Sequence, residues 1–172
     1  MKLEDALVIA ERLKVDLARS CERIEIAGSI RRGKPEVKDI EIVAVPKDDL
    51  FEWSLALAVG DATFKKNGAR YKQIILPEGI NLDFFLVRPP AQWGVIFLLR
   101  TGPAEFSQRA VTQRSKGGLL PSDCKCQDGQ IWRGDKVIPM PEEEDFLRLL
   151  GLEGFEPGGA WSMEGGGWRV KR

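Results

Sequence analysis

Two short stretches of this chain bring together residues able to do chemistry. In Gly28-Ser29-Ile30-Arg31-Arg32-Gly33 a glycine lets the chain turn, and backbone N–H groups and arginine forks are suited to an anion such as phosphate. Beyond it lies Asp39-Ile40-Glu41-Ile42-Val43, where acid and apolar residues alternate. In a strand, successive side chains point to opposite faces, so Asp39 and Glu41 share one face and Ile40 and Ile42 the other. Neighbouring carboxylates repel unless a cation sits between them, and at a phosphate site the oxygen-liganded choice is Mg²⁺. A third acid, Asp83, stands in the apolar run Ile80–Val87, where a lone carboxylate needs a partner; it would complete a two-metal site. An acid pair on a strand is more often a solvated face. Joined to the glycine turn and a third acid on a separate apolar strand, the pair points to a nucleotide site.

The elements that must position these residues follow from periodicity. Leu3, Ala6, Leu7, Ala10, Leu13, Leu17 and Ala18 recur at helical intervals and predict an amphipathic helix over 3–20 that covers a sheet. Strands are expected near 23–27 and 38–45, a helix near 49–58, and a meander of strands over 62–66, 70–76 and 80–87 around Asn67-Gly68. Lys65, Lys66, Arg70 and Lys72 flank that turn, as a solvated tip or as a contact to a nucleic-acid backbone. Pro89-Pro90 marks a boundary. Helices over 92–100 and 104–114 follow, separated by Thr101-Gly102-Pro103, with Gly117-Gly118 ending the second. A hairpin around Asp128-Gly129 and a helix over 142–150 stopped by Gly151 come next. The glycine-rich residues 157–172 read as a loose tail that Trp161 and Trp168 tether.

Composition limits the function. The chain has 172 residues, 43% hydrophobic and 30% charged, as in an ordinary globular protein of one core or two small subdomains, and the periodicity above makes its expected class α+β. No apolar run reaches the ~20 residues of a membrane span and the first residues lack signal-peptide form, so a cytoplasmic protein without membrane contact is expected. The three cysteines agree with a reducing compartment, and Cys124-x-Cys126 has the wrong spacing for a zinc knuckle. Histidine is absent, which leaves carboxylates and metal-bound groups to manage protons. Lys+Arg and Asp+Glu both total 26, yet residues 88–136 hold eight basic residues against four acidic, and 141–156 hold six acids against Arg148. Such a chain carries either one DNA-facing surface and one averse to DNA, or an ordinary salt-bridged exterior.

These motifs resemble the nucleotidyltransferase superfamily, whose signature is a Gly-Ser turn, an acid-x-acid strand and a third acid on a neighbouring strand. Trp93–Gly102, with its Thr101-Gly102 turn, and the segments 141–146 and 149–152 are similar to parts of the family X DNA polymerases. The resemblance implies a nucleotidyltransferase palm over residues 1–88 and a small thumb over 89–156, as in the minimal viral and phage members. It also implies the absence of amino-terminal lyase and helix-hairpin-helix domains, and hence weak, salt-sensitive DNA binding. The implied roles are two Mg²⁺ ions (Mn²⁺ as substitute) held by Asp39, Glu41 and Asp83, with Asp83 on the ion that activates a 3′-hydroxyl. A nucleoside triphosphate would meet Gly28, Ser29, Arg32, Lys38, Thr101 and Gly102, and primer–template or gapped DNA would meet Arg109, Arg114 and Lys116. Arg109 reads equally as a salt-bridged helix residue. The implied protein is a monomeric repair or gap-filling polymerase.

Two other functions remain open on the sequence: transfer to protein, RNA or a small molecule, and DNA binding by an inactive palm. Glu41 and Lys38 depart from the family's usual aspartate and glycine. Leu99 and Arg100 replace an aromatic pair, which predicts weak discrimination between sugars. Pro103 is expected to follow a cis bond from Gly102, the alternative being a trans proline that starts a helix.

Overall fold

The computed structural model describes residues 1–157 and the backbone of 161–164 and 167–170. The chain forms two compact units, Met1–Arg88 and Pro89–Arg172, with mixed α and β structure in an α+β arrangement.

In the first unit, α1 (Leu3–Leu17) buries Ala6, Ile9, Ala10, Leu13 and Leu17, the stripe its three- and four-residue spacing dictates. β1 (Cys21–Ile26), the single turn of helix α2 (Gly28–Arg31) and β2 (Asp39–Pro46) follow. Next, α3 (Leu50–Val59) buries Phe51, Leu55 and Val59. β3 (Thr63–Asn67), β4 (Tyr71–Ile75) and β5 (Asn81–Leu86) complete a five-stranded sheet in the order β1-β2-β5-β4-β3. The expected meander of β3, β4 and β5 is antiparallel, but β5 then lies parallel to β2.

That parallel pair is the centre of the sheet. On one face Ile40, Ile42, Ala44, Leu82, Phe84 and Leu86 pack with α1 and α3 in a single apolar cluster. The other face, one residue out of phase, carries Asp39, Glu41, Asn81 and Asp83, all half-buried. Lys72 departs from the solvated turn the sequence suggests. Alternation along β4 turns it to the helix side, where it is 2% exposed and bonds Glu52 of α3 at 3.0 Å and Asn67 at 2.5 Å.

The second unit has shorter elements: α4 (Trp93–Thr101), α5 (Ala104–Ala110), β6 (Cys124–Gln127), β7 (Gln130–Arg133), β8 (Lys136–Ile138) and α6 (Glu143–Leu149). Its core joins Val95, Leu98, Phe106, Leu120, Ile131 and Phe146. The Asp128-Gly129 hairpin forms with both residues at positive φ, 55° and 70°, as a two-residue turn between twisted strands requires. Gly94 permits a close approach, because a Cβ there would lie 2.2 Å from the Glu142 carbonyl oxygen.

Three expectations need correction here. The second helix ends at Ala110, not at Gly117-Gly118. Leu119 N–H donates to the Arg109 carbonyl and Leu120 N–H to that of Thr112, so the chain doubles back to bury Leu120 and takes over acceptors a longer helix would use. Gly102–Pro103 is trans; the cis bond among the described residues is Pro89–Pro90. Pro103 sits directly before α5 with φ −62°, and Gly102 is required by packing, since a Cβ there would lie 2.5 Å from the Phe106 ring. The tail is not wholly loose, because β9 (Trp161–Glu164) and β10 (Gly167–Val170) pair antiparallel, Trp161 opposite Val170 and Met163 opposite Trp168. The tethering role expected of Trp161 and Trp168 falls outside the described side chains. Among the described residues no helix is long and apolar enough to cross a membrane.

Candidate functional site

The three acids come together through strand pairing. The parallel register sets Asp39 beside Asn81 and Glu41 beside Asp83, so the acid pair of β2 and the lone acid of β5 lie on one half-buried strip. Local hydrogen bonds hold two of them. Asn81 Nδ2 donates to Asp39 Oδ1 at 3.3 Å, and the Tyr71 hydroxyl donates to Asp83 Oδ1 at 2.5 Å.

The glycine turn meets the same strip. Ala27 N–H donates to the Glu41 carbonyl at 2.8 Å, which carries the end of β1 along β2. Gly28 then adopts φ +59°, and a Cβ on it would fall 1.5 Å from Glu41 Oε2. The Glu41 carboxylate thus occupies the space that glycine leaves empty, and any other residue would displace it. Hydrogen bonding in α2 starts with Arg31 N–H to the Ala27 carbonyl and Arg32 N–H to that of Gly28. Ser29 is half-buried at this turn, and Lys38 is exposed next to Asp39. Burial pushes the Arg32 guanidinium pKa below its ordinary value while the nearby Glu41 carboxylate pulls it back up. A fixed positive charge therefore stands at the acid strip.

The donor chemistry suits a hard divalent cation: Asp39, Glu41 and Asp83 supply carboxylate oxygens from adjacent strands. Among the described residues no three acid, cysteine or histidine side chains already converge as a ligand set. Asp39 and Asp83 turn instead to Asn81 and Tyr71.

The residues expected in the second unit have local duties. Thr101 is fully buried and its hydroxyl donates to the Phe97 carbonyl at 2.8 Å. Arg109 is half-buried. Arg114 is exposed, yet its guanidinium donates to the Leu119 carbonyl at 3.1 Å and the Leu149 carbonyl at 3.5 Å. Lys116 is exposed beside a cleft lined also by Thr112, Gln113 and Lys125. Tyr71 and Asn81 escaped the sequence reading as site residues. The alternation of β4 was visible, but Tyr71 reaches Asp83 only because β4 pairs with β5 in a register that puts Gln73 opposite Asp83 and Tyr71 opposite Phe85. The chain matches no protein-family model, and no curated protein matches it.

Proposed function

We propose that this protein is a divalent-metal-dependent nucleotidyltransferase that adds a deoxynucleotide from its triphosphate to a DNA 3′ end. One observation carries the reading: Gly28 is seated on Glu41 while Glu41 is paired in register with Asp83. An anion-binding turn and three carboxylates thus belong to one local structure.

Asp39, Glu41 and Asp83 would hold Mg²⁺ or Mn²⁺ through their carboxylate oxygens. The bound metal would lower the pKa of the attacking hydroxyl and neutralise charge on the triphosphate. Ser29 and Arg32 bind phosphate oxygens at the Gly28 turn, and Lys38 adds charge beside Asp39. The second unit serves as the thumb, with Arg109 and Lys116 toward DNA. Arg114 contributes less, since its guanidinium already serves the Leu119 and Leu149 carbonyls.

The test is incubation of the protein with Mg²⁺, deoxynucleoside triphosphates and a labelled primer that is single-stranded, templated or gapped. Extension that requires metal and falls at least about a hundredfold in Glu41→Gln is the expected result. Extension that persists in EDTA defeats the proposal. Metal-dependent transfer only to RNA or protein moves the substrate, and salt-sensitive DNA binding without transfer identifies an inactive palm.

A further inference from the structure

We propose that Tyr71 is the positioning residue of Asp83, holding one carboxylate oxygen so that the other is left for a divalent cation. This rests on the acid strip being the metal site of the proposed transferase.

Three contacts fix the phenol. Its hydroxyl donates to Asp83 Oδ1 at 2.5 Å, and its ring stacks on Phe85 with centroids 5.2 Å apart and planes inclined by 22°. The ammonium of Lys66 lies 5.6 Å from the ring centroid. Phe85 is 9% exposed and Tyr71 is half-buried, so the ring is supported from below. Antiparallel register places Tyr71 opposite Phe85, two residues along β5 from Asp83 on the same sheet face. A diagonal reach of this kind suits a long, rigid side chain with a polar tip.

The arrangement constrains Asp83 in two ways. A carboxylate with one oxygen bound in a short, charge-assisted hydrogen bond has lost much of its rotational freedom, so less order remains to be imposed when the second oxygen takes a cation. Rotation that moved both oxygens to the metal would instead break the bond to Tyr71. In either case cation binding alters the surroundings of the phenol. Tyr71 is the one tyrosine in the chain, so that change can be observed in isolation.

The decisive experiment uses the full chain with its tyrosine replaced biosynthetically by 3-fluorotyrosine, which gives a single ¹⁹F resonance. Addition of Mg²⁺ is expected to shift that resonance saturably. Asp83→Asn should move it before any metal is added and abolish the response to Mg²⁺. In parallel, Tyr71→Phe keeps the ring stacked on Phe85 and removes only the hydroxyl. Its affinity for Mn²⁺, read by the loss of the free-ion electron paramagnetic resonance signal, should fall about tenfold or more, the usual scale for removing a group that orients a metal ligand. Transfer by Tyr71→Phe should recover to within about threefold of the parent at high Mg²⁺, because the lesion is in loading. A ¹⁹F resonance indifferent to Mg²⁺, or Mn²⁺ affinity unchanged in Tyr71→Phe, overturns the proposal. The two readings fail separately. Cation binding sensed by Tyr71 in a protein that transfers no nucleotide retains the role of Tyr71 and removes the transferase, whereas active transfer with an unaffected Tyr71 does the reverse.

Discussion

The two faces of the five-stranded sheet use the same strands for opposite purposes. On the helix-covered face, β2 and β5 contribute side chains that are almost wholly buried, Ile40, Ile42, Leu82 and Phe84 among them. Lys72, a buried charge on that face, is matched by Glu52. One residue further along either strand, the acid face concentrates three carboxylates around Tyr71, Asn81 and the Gly28 turn. A core face gains from every apolar contact, whereas a face that gathers like charges must be held by the rest of the molecule. If the acid strip is the proposed metal site, stability and chemistry are separable here at adjacent positions.

The sharpest way to break that contrast is to compare Leu82→Ala with Asp83→Asn. Leu82 is fully buried, and its truncation should lower the free energy of unfolding by about 2–5 kcal/mol in urea titrations. Asp83→Asn should change stability by no more than about 1 kcal/mol yet reduce nucleotide transfer at least about a hundredfold. Equal losses of stability in both would show that the acid face is structural.

Gly28→Ala lies between these extremes. Its positive φ costs an L-residue about 1–2 kcal/mol, and the new Cβ displaces the Glu41 carboxylate. Thermal unfolding and transfer should both decline, transfer by about tenfold or more. A variant as active as the parent would separate the turn from the acids.

A smaller effect is expected at Lys72→Met. The apolar chain fills the buried site and releases Glu52, which is 51% exposed, to solvent, so stability should change by less than about 1 kcal/mol. A loss of several kcal/mol would make the buried ion pair a major support of the helix face.

The smallest effect near neutrality concerns Cys21, at the edge of the same core. Burial pushes its thiol up to about 11. An unfolded thiol titrates near 8.5, so the neutral buried form favours the fold below about pH 8.5, and that contribution disappears as the pH rises toward 11. The stability difference between the parent and Cys21→Ala should therefore narrow between pH 8 and pH 10.5 in urea titrations. A constant difference would contradict the burial.

How far the sequence foretold this structure depended on the range of the forces involved. α1, β2, β5 and the Asp128-Gly129 hairpin were legible because helical spacing, strand alternation and turn chemistry are local. The acids of β2 could be assigned a common face for the same reason. What pairs with that face could not be derived from periodicity, since β5 lies next to β2 in the sheet although β3 and β4 separate them in sequence, and only that pairing sets Asp83 beside Glu41. Tyr71 was hidden by the same long-range pairing. Helical pattern continued past Ala110, but the demand to bury Leu120 reversed the chain there. At Gly102–Pro103 the lower penalty of a cis bond before proline favours one expectation, while the position of Pro103 just ahead of a helix favours the trans form that is observed.

The fit of Glu41 into the space beside Gly28 makes the turn and the strand one inheritance. A methyl group at 28 collides with the Glu41 carboxylate, and Glu41→Asp, which withdraws that carboxylate by one methylene, would relieve the collision but not the strain of an L-residue at φ +59°. Anyone grafting this acid strand into another scaffold would have to carry the glycine with it.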